Sequence, residues 1–248
     1  MDRPPFDRLI QPMQKAFDHV PDFSGIALFE AKNEYRKIWQ AGFADEQMGI
    51  PHTLNTQYSI ASVSKQFTAV TLLMALIEKG INLSQALQET LSFWLPGFDA
   101  PWVKNITLHQ LLTHTSGLDN YTDFPFRERM KAINDGPDAR NQHIAFIKTL
   151  TQNPAKIEHY HYSNTNYNLL SLVIEAVTGE MLGDYMAKVI FVPLGMKDTL
   201  YFCDSSNTVL KREGILPNVA FGYVLDPTKP EIEKSPCKKY ENLCYFCW

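Results

Sequence analysis

The segment from Ser62 to Lys79, SVSKQFTAVTLLMALIEK, constrains the fold more than any other part of the sequence, because it is long, mostly apolar and free of Gly and Pro. Its apolar residues recur at helical spacing, and the run ends at Gly80, a residue type common just after helices. The predicted apolar stripe consists of Val63, Phe67, Val70, Met74 and Ile77. Since such a helix has few polar positions, we expect it to be central and buried on most sides.

Apolar periodicity predicts further elements on both sides of this helix. Near the N-terminus it predicts a packing helix that ends before Pro21, with a stripe made of Phe6, Leu9, Ile10, Met13 and Phe17. The apolar and aromatic runs 23–31 and 35–44 predict an antiparallel hairpin. Four later helices are predicted at 108–114 with Thr107 as N-cap, 139–151, 167–177 ending at Gly179, and 182–191 ending near Pro193. We expect the chain after the hairpin to be mainly helical.

Composition excludes several classes of protein. With 248 residues, 45% of them apolar and 20% charged, the chain has the values of a globular protein. A net charge of −4 provides no basic surface for nucleic acid or an anionic membrane. The longest apolar candidate, 67–77, is too short to span a membrane, and the N-terminus lacks the apolar core of a secretory signal. We therefore expect a cytoplasmic protein, or a periplasmic one if the true start lies upstream.

The cysteines do not predict a disulfide framework or a metal site. All of them follow residue 200: Cys203, Cys237, Cys244 and Cys247. The single C-x-x-C lacks the second ligand pair that zinc needs, and the H-x-H formed by His159 and His161 lacks a third ligand. We predict unpaired thiols and no metal site. The prolines, charges and cysteines of 226–248 predict an irregular tail after a domain at 1–225.

The start of the apolar helix carries a candidate nucleophile. Ser62 and Lys65 are three residues apart, so they share one helix face and the amine can lie beside the hydroxyl. A serine hydroxyl is a weak nucleophile until a neighbouring base takes its proton, and a helix start offers N–H groups to an oxyanion. The alternative is that Ser62 only caps the helix.

A second candidate motif lies 100 residues further on, in the sequence YSNTNYN at 162–168. Tyr162 offers a phenol that can act as a base, and Asn164 offers an amide that can hydrogen-bond a substrate. Asn164 and Asn166 precede a predicted helix, so either of them could instead serve as an N-cap.

Together these motifs resemble a known family. Ser62-x-x-Lys65, LLTHTSG at 111–117 and Tyr162-x-Asn164 occur in the order found in class C β-lactamases and penicillin-binding-protein-like serine hydrolases and esterases. The resemblance implies an α+β fold of the β-lactamase/transpeptidase type, in which N-terminal antiparallel strands pack with a mainly helical region. It also implies hydrolysis of an amide, β-lactam or ester through an acyl-enzyme, without a cofactor.

The resemblance assigns roles to individual residues. It implies that Ser62 is acylated, that Lys65 and Tyr162 share the proton transfers, and that Asn164 binds the substrate. His114 falls in a family segment that forms a turn near the site, so we expect a structural imidazole bonded to backbone groups. The sequence predicts nothing about the oligomeric state.

The family's third motif, Lys-Thr-Gly or His-x-Gly, has no counterpart between residue 165 and Trp248. By the resemblance, this motif lies on a strand that supplies one of two oxyanion donors, and losing one donor costs about 100- to 1,000-fold in rate. We therefore expect a truncated or frameshifted member of the family that lacks the C-terminal sheet strands. The alternative to an active hydrolase is a non-catalytic remnant or binding protein.

Overall fold

The structure, a computed structural model, describes residues 7–20, 23–31, 35–130, 133, 138–201, 220, 223–225 and 234–236. The chain divides into two compact units. The first, which we call the strand unit, comprises Met1–Ser59 and Leu210–Lys238. The second, the helical unit, comprises Ile60–Val209 and Lys239–Trp248.

The strand unit contains one helix and three two-stranded antiparallel ladders among its described residues. The helix is α1 (Asp7–Asp18). The ladders pair β1 (Gly25–Ala31) with β2 (Tyr35–Ala41), β3 (Phe43–Asp45) with β4 (Ile50–Pro51), and β5 (Tyr223–Leu225) with β6 (Lys234–Pro236).

The predicted N-terminal hairpin is confirmed as β1 and β2, which pair from Gly25–Ala41 to Ala31–Tyr35. The second run is shorter than the predicted 35–44, because the chain turns at Gly42 and continues as β3. Gly42 has φ +70°, and a Cβ there would lie 2.4 Å from the Ser24 hydroxyl, so the turn requires glycine.

The predicted N-terminal helix is also confirmed, but its apolar stripe is only partly buried. Phe17 packs against the rings of Phe23 and Trp39, with ring centroids 4.4 and 5.5 Å away. Leu9 and Met13, from the same stripe, are exposed. Packing is therefore concentrated at the C-terminal end of α1.

The helical unit begins with a 3₁₀ turn and continues through short and long helices. The turn spans Ala61–Ser64. The helices are α2 (Lys65–Glu78), α3 (Leu83–Ala86), α4 (Leu91–Trp94), α5 (Leu108–Leu112), α6 (Phe126–Met130), α7 (Ala139–Lys148), α8 (Asn164–Thr178) and α9 (Leu182–Met186), with a further 3₁₀ turn at Pro154–Lys156 and a π-helical turn at Ala187–Phe191.

The packing of α2 against α8 forms the centre of this unit. Leu72, Ala75 and Leu76 of α2 are fully buried in the same apolar cluster as Leu170 and Val173 of α8. Because the two helices are in contact, the segments at their N-terminal ends can approach one another, although they are about 100 residues apart in sequence.

The predicted buried stripe of α2 is wrong. Val63, Val70, Met74 and Ile77 are exposed, with Ile77 60% exposed, and of that stripe Phe67 packs against the core. The buried face instead contains Thr68, Thr71, Leu72, Ala75 and Leu76. Because apolar residues occur on both faces of this helix, periodicity did not distinguish them, and the expectation of burial on most sides fails as well.

The four later helices are confirmed with different bounds. α5 has the predicted Thr107 N-cap in a complete capping box with Gln110, but it ends at Leu112. α7 ends at Lys148, and α8 begins at Asn164, three residues before the predicted start. Gly179 caps α8 with φ +75°, as predicted. The predicted helix at 182–191 changes from α-helical to π-helical geometry at residue 187.

Several predicted positions lie outside the described residues: Phe6, Pro21, the turn 32–34, and Cys203, Cys237, Cys244 and Cys247. β6 lies within 226–248, for which the sequence predicts an irregular tail, and it pairs with β5, which ends at Leu225. The domain boundary at 225 stays a prediction. Among the described residues, no helix has both the length and the apolarity needed to cross a membrane.

Candidate active site

The side chains of Ser62, Lys65, Tyr162 and Asn164 form one closed hydrogen-bonded ring. Lys65 Nζ donates to Ser62 Oγ at 3.1 Å and to Asn164 Oδ1 at 2.8 Å. The Tyr162 hydroxyl lies 2.6 Å from Ser62 Oγ and donates to Asn164 Oδ1 at 3.1 Å. The two sequence motifs therefore meet in one site, at the N-terminal ends of α2 and α8.

Ser62 is exposed on the 3₁₀ turn that leads into α2. The residue before it, Ala61, has φ +45°, a left-handed conformation that costs energy for a residue with a Cβ. The Ser64 hydroxyl donates to the Ala61 carbonyl and closes this turn. At this helix start the N–H of Val63 donates to the Ile60 carbonyl at 3.0 Å and that of Lys65 to the Ser62 carbonyl, so the helix favours an oxyanion next to Ser62 through the positive end of its dipole.

Lys65 is held on several sides. Besides its two hydrogen bonds, its ammonium lies over the ring of Tyr162, 5.0 Å from the centroid, and over the ring of Tyr167 at 5.6 Å. Aromatic faces attract cations, so both rings favour this position of the ammonium. Sequence reasoning did not identify Tyr167 as part of the site, although it lies within the motif YSNTNYN.

Tyr167 is held in place by a hydrogen bond to the end of α5. Its hydroxyl donates to the Leu112 carbonyl at 3.2 Å, at the end of α5. Burial raises the pKa of the Tyr167 phenol, and the neighbouring Tyr162 and Tyr160 raise it further. Tyr167 therefore stays protonated at neutral pH and provides a fixed ring surface for Lys65.

His114 has the structural role that the sequence predicts. Its φ of +58° places it in a tight turn, and its Nδ1 accepts the Ser163 backbone N–H at 3.2 Å. The imidazole ring packs against Tyr162, with centroids 4.6 Å apart. Burial lowers the pKa of His114 to about 4, and the positive charge of Lys65 contributes, so the imidazole is neutral at neutral pH.

The asparagines of this segment do not act as side-chain caps. The N-cap of α8 is Ser163, and it makes no side-chain capping bond. Asn166 is fully buried, accepts a hydrogen bond from the Ser116 hydroxyl at 2.7 Å and lies 3.2 Å from His114 Nδ1. It links the segment around His114 to the start of α8.

Asn164 has further partners that the sequence analysis missed. Its Nδ2 donates to Asn120 Oδ1 at 3.2 Å and to Thr122 Oγ1 at 3.0 Å. Its backbone N–H also donates to Asn120 Oδ1, at 3.0 Å. These residues follow the segment LLTHTSG closely, which is the one signal in the sequence that could have indicated them.

The side-chain contacts around the H-x-H segment involve His161 and the neighbouring Glu158. His161 Nε2 lies 2.5 Å from Lys156 Nζ, and Glu158 Oε1 accepts from Gln110 Nε2 at 2.5 Å. In the part of the chain that the structure describes, His, Cys, Asp and Glu side chains form no group of three or more that could hold a metal ion.

The chain is similar to known proteins over most of its length. The family model described as Beta-lactamase matches residues 13–215. A penicillin-binding protein of Bacillus subtilis (strain 168) is 31% identical over 220 residues, which cover 88% of this chain and 45% of that protein. A D-aminopeptidase of Brucella anthropi is 33% identical over 66% of this chain and 30% of that protein.

A solved structure extends this similarity to the fold. The penicillin-binding protein from Bacillus halodurans matches with a TM-score of 0.73 and 25% identity, over 96% of this chain and 67% of that one. The chain spans less than half the length of the two curated relatives.

Proposed function

Since this chain belongs to the Beta-lactamase family, we propose that it is a serine hydrolase that forms an acyl-enzyme at Ser62. The observation that supports the proposal most is the closed ring of Ser62, Lys65, Asn164 and Tyr162. It places two groups that can accept a proton within hydrogen-bonding distance of an exposed hydroxyl, as nucleophilic catalysis requires.

In the acylation step, Ser62 Oγ attacks the carbonyl carbon of the substrate and loses its proton. Before the attack, either the Lys65 ammonium or the Tyr162 phenol has to release its own proton, and that group then accepts the proton from Ser62. The carbonyl oxygen becomes an oxyanion near the N-terminal, positive end of the α2 dipole. The bond to the leaving group then breaks, and Tyr162 or Lys65 returns the proton to the departing nitrogen or oxygen.

In the deacylation step, water attacks the ester formed at Ser62. The same base takes a proton from the water, and Ser62 Oγ leaves and is reprotonated, which restores the starting state. Asn164 holds Lys65 and Tyr162 in position through its carbonyl oxygen and borders the space in which the substrate binds. The neutral imidazole of His114 supports the ring of Tyr162 and takes no proton.

We propose a small amide, β-lactam or ester as the substrate. An amide is supported by the D-aminopeptidase, whose name denotes cleavage of an amide bond. A β-lactam or an acyl-peptide substrate is supported by the family description and by the penicillin-binding relatives. The leaving group in each case is an amine or an alcohol that takes its proton from the base.

The proposal is tested by intact-mass labelling of the folded protein with a penicillin and, separately, with a fluorophosphonate. We expect one adduct per chain, and its loss in Ser62→Ala. Ser59→Ala is the matched control, because Ser59 is an exposed serine three residues away, and it should label like the native chain. A folded sample without an adduct would contradict the proposal and favour the alternative, a protein that binds such molecules without turnover.

A further inference from the structure

Asn120 is a buried amide that connects a carboxylate to the proposed catalytic ring. It is 7% exposed. Its Nδ2 donates to Asp123 Oδ1 at 2.9 Å, and its Oδ1 accepts both the backbone N–H and the side-chain Nδ2 of Asn164, at 3.0 and 3.2 Å. The Thr122 N–H approaches the same oxygen at 3.4 Å.

These partners leave one orientation for the Asn120 amide. The Asp123 carboxylate can only accept, so it must face the NH₂ group of Asn120. The backbone N–H of Asn164 can only donate, so it must face the oxygen. A flipped Asn120 would place oxygen against carboxylate and NH₂ against N–H, and both contacts would be repulsive. The orientation is therefore fixed at both ends.

The orientation of Asn120 in turn fixes that of Asn164. Because Asn120 presents an oxygen, Asn164 must turn its NH₂ group towards it, and the Thr122 hydroxyl accepts the second hydrogen of that group at 3.0 Å. The oxygen of Asn164 then faces Lys65, whose ammonium can only donate. Lys65 therefore needs an acceptor on the side of the Asn164 amide where the contact with Asn120 places the oxygen.

We infer that Asn120, held by Asp123, is a positioning residue that fixes the amide of Asn164 with its oxygen towards Lys65. This acceptor is one of the contacts that hold Lys65 beside Ser62. Without Asn120, the amide of Asn164 can rotate and offer its NH₂ group to the ammonium, which removes one hydrogen bond and adds a repulsion. This inference rests on the proposed function for its effect on rate, but the orientation itself does not depend on activity.

Three variants test the inference. Asn120→Leu has a similar size and no acceptor, so we expect acylation by the fluorophosphonate to slow about tenfold to hundredfold, the effect of losing one hydrogen bond to a charged group. The double variant Asn120→Asp with Asp123→Asn exchanges the two groups. The carboxylate at position 120 can still accept from Asn164, and the amide at position 123 can donate to it, so this variant should recover most of the rate. Thr122→Val removes only the other acceptor and should slow acylation less than Asn120→Leu.

A second measurement reads the orientation without activity. Hydrogen exchange of the Asn164 side-chain NH₂, followed by NMR and assigned with Asn164→Asp, should be slow in the native chain and in the double variant and at least tenfold faster in Asn120→Leu. Equal exchange in the native chain and Asn120→Leu would overturn the inference. So would equal acylation rates in the two chains when the native chain is labelled.

The same pair of measurements separates this inference from the proposed function. The native chain could form no adduct and still show slower exchange of the Asn164 NH₂ group than Asn120→Leu. In that case the orientation of Asn164 stands and the hydrolase proposal fails. Thermal unfolding of every variant serves as the control for folding. A variant whose acylation slows because it unfolds should also show a lower thermal midpoint.

Discussion

Acid should destabilise the folded chain through His143, a buried histidine of α7. His143 is 8% exposed, its ring packs edge-on against Tyr121 at 4.9 Å, and its Nε2 lies 3.4 Å from Asn168 Nδ2. Burial lowers the pKa of this histidine from 6.5 to about 4. Between these values the unfolded chain binds a proton that the folded chain does not bind, so stability is complete above about pH 6.5 and decreases as the pH falls through the window.

The size of the effect follows from the width of the window. Each pH unit within it costs about 1.4 kcal/mol per histidine, so the 1.5 units between pH 6.5 and pH 5 remove about 2 kcal/mol of unfolding free energy. His114, with its pKa also lowered to about 4, should remove a similar amount. The native chain should therefore lose about 4 kcal/mol between pH 7 and pH 5 from these two groups.

The assay is urea unfolding at pH 7, 6 and 5, followed by the fluorescence of Trp94 and Trp102, which are buried in the helical unit. His143→Gln removes one titrating group, so its loss of stability between pH 7 and pH 5 should be about 2 kcal/mol smaller than in the native chain. His109→Gln is the control, because His109 is exposed on α5, and it should keep the native dependence. An equal loss in the native chain and His143→Gln would refute the reasoning.

Two further matched pairs test the fold. Leu76→Ala should cost about 2–5 kcal/mol of unfolding free energy because Leu76 is fully buried. Ile77→Ala should cost less than about 1 kcal/mol because Ile77 is 60% exposed. Comparable costs of the two variants in urea unfolding would contradict the assignment of the buried face of α2. Gly42→Ala should lower the thermal midpoint of unfolding clearly more than Gly49→Ala. Both glycines have positive φ, but of the two only Gly42 would place a Cβ against the Ser24 hydroxyl, at 2.4 Å. Similar midpoints would show that the turn at Gly42 does not require glycine.

Local sequence signals predicted the elements well where one residue type has a specific backbone role. Thr107 forms the predicted cap of α5, to which the structure adds a capping box with Gln110, and Gly179 ends α8 with positive φ. The hairpin of β1 and β2 follows from its apolar runs. These signals act within one turn or one strand, so they can be read without knowledge of the tertiary contacts.

The predictions failed where the outcome depends on what an element packs against. Both faces of α2 carry apolar residues, and the face with Thr68 and Thr71 is the buried one, although their hydroxyls have no hydrogen-bond partner among the described residues. The short ladder of β3 and β4 was missed as well, because Ile50–Pro51 is only two residues long and has no period of its own. Packing partners, not local pattern, decide both features.

The residues of the candidate site could be predicted from the sequence, but most of the hydrogen bonds among them could not. The helical spacing of Ser62 and Lys65 predicts their contact, which the 3.1 Å bond bears out. Tyr162 and Asn164 join them only because α2 and α8 pack together, and no property of the sequence alone sets that distance. The resemblance to a family, and not the spacing of the residues, predicted that the two motifs meet in one site.

The polarity of the hydrogen bonds around Asn164 is a property of the folded chain that a residue list does not contain. An amide side chain can present oxygen or NH₂ to a neighbour, and its own identity does not decide between them. The choice at Asn164 depends on Asn120, and the choice at Asn120 depends on a carboxylate, Asp123, that can only accept. Hydrogen-bond donation thus runs from Lys65 through the amides of Asn164 and Asn120 to the Asp123 carboxylate, and Lys65 also donates to the hydroxyl of Ser62. A substitution that preserves size but removes the acceptor facing Asn164, such as Asn120→Leu, should therefore disturb the lysine more than its distance from Ser62 would suggest.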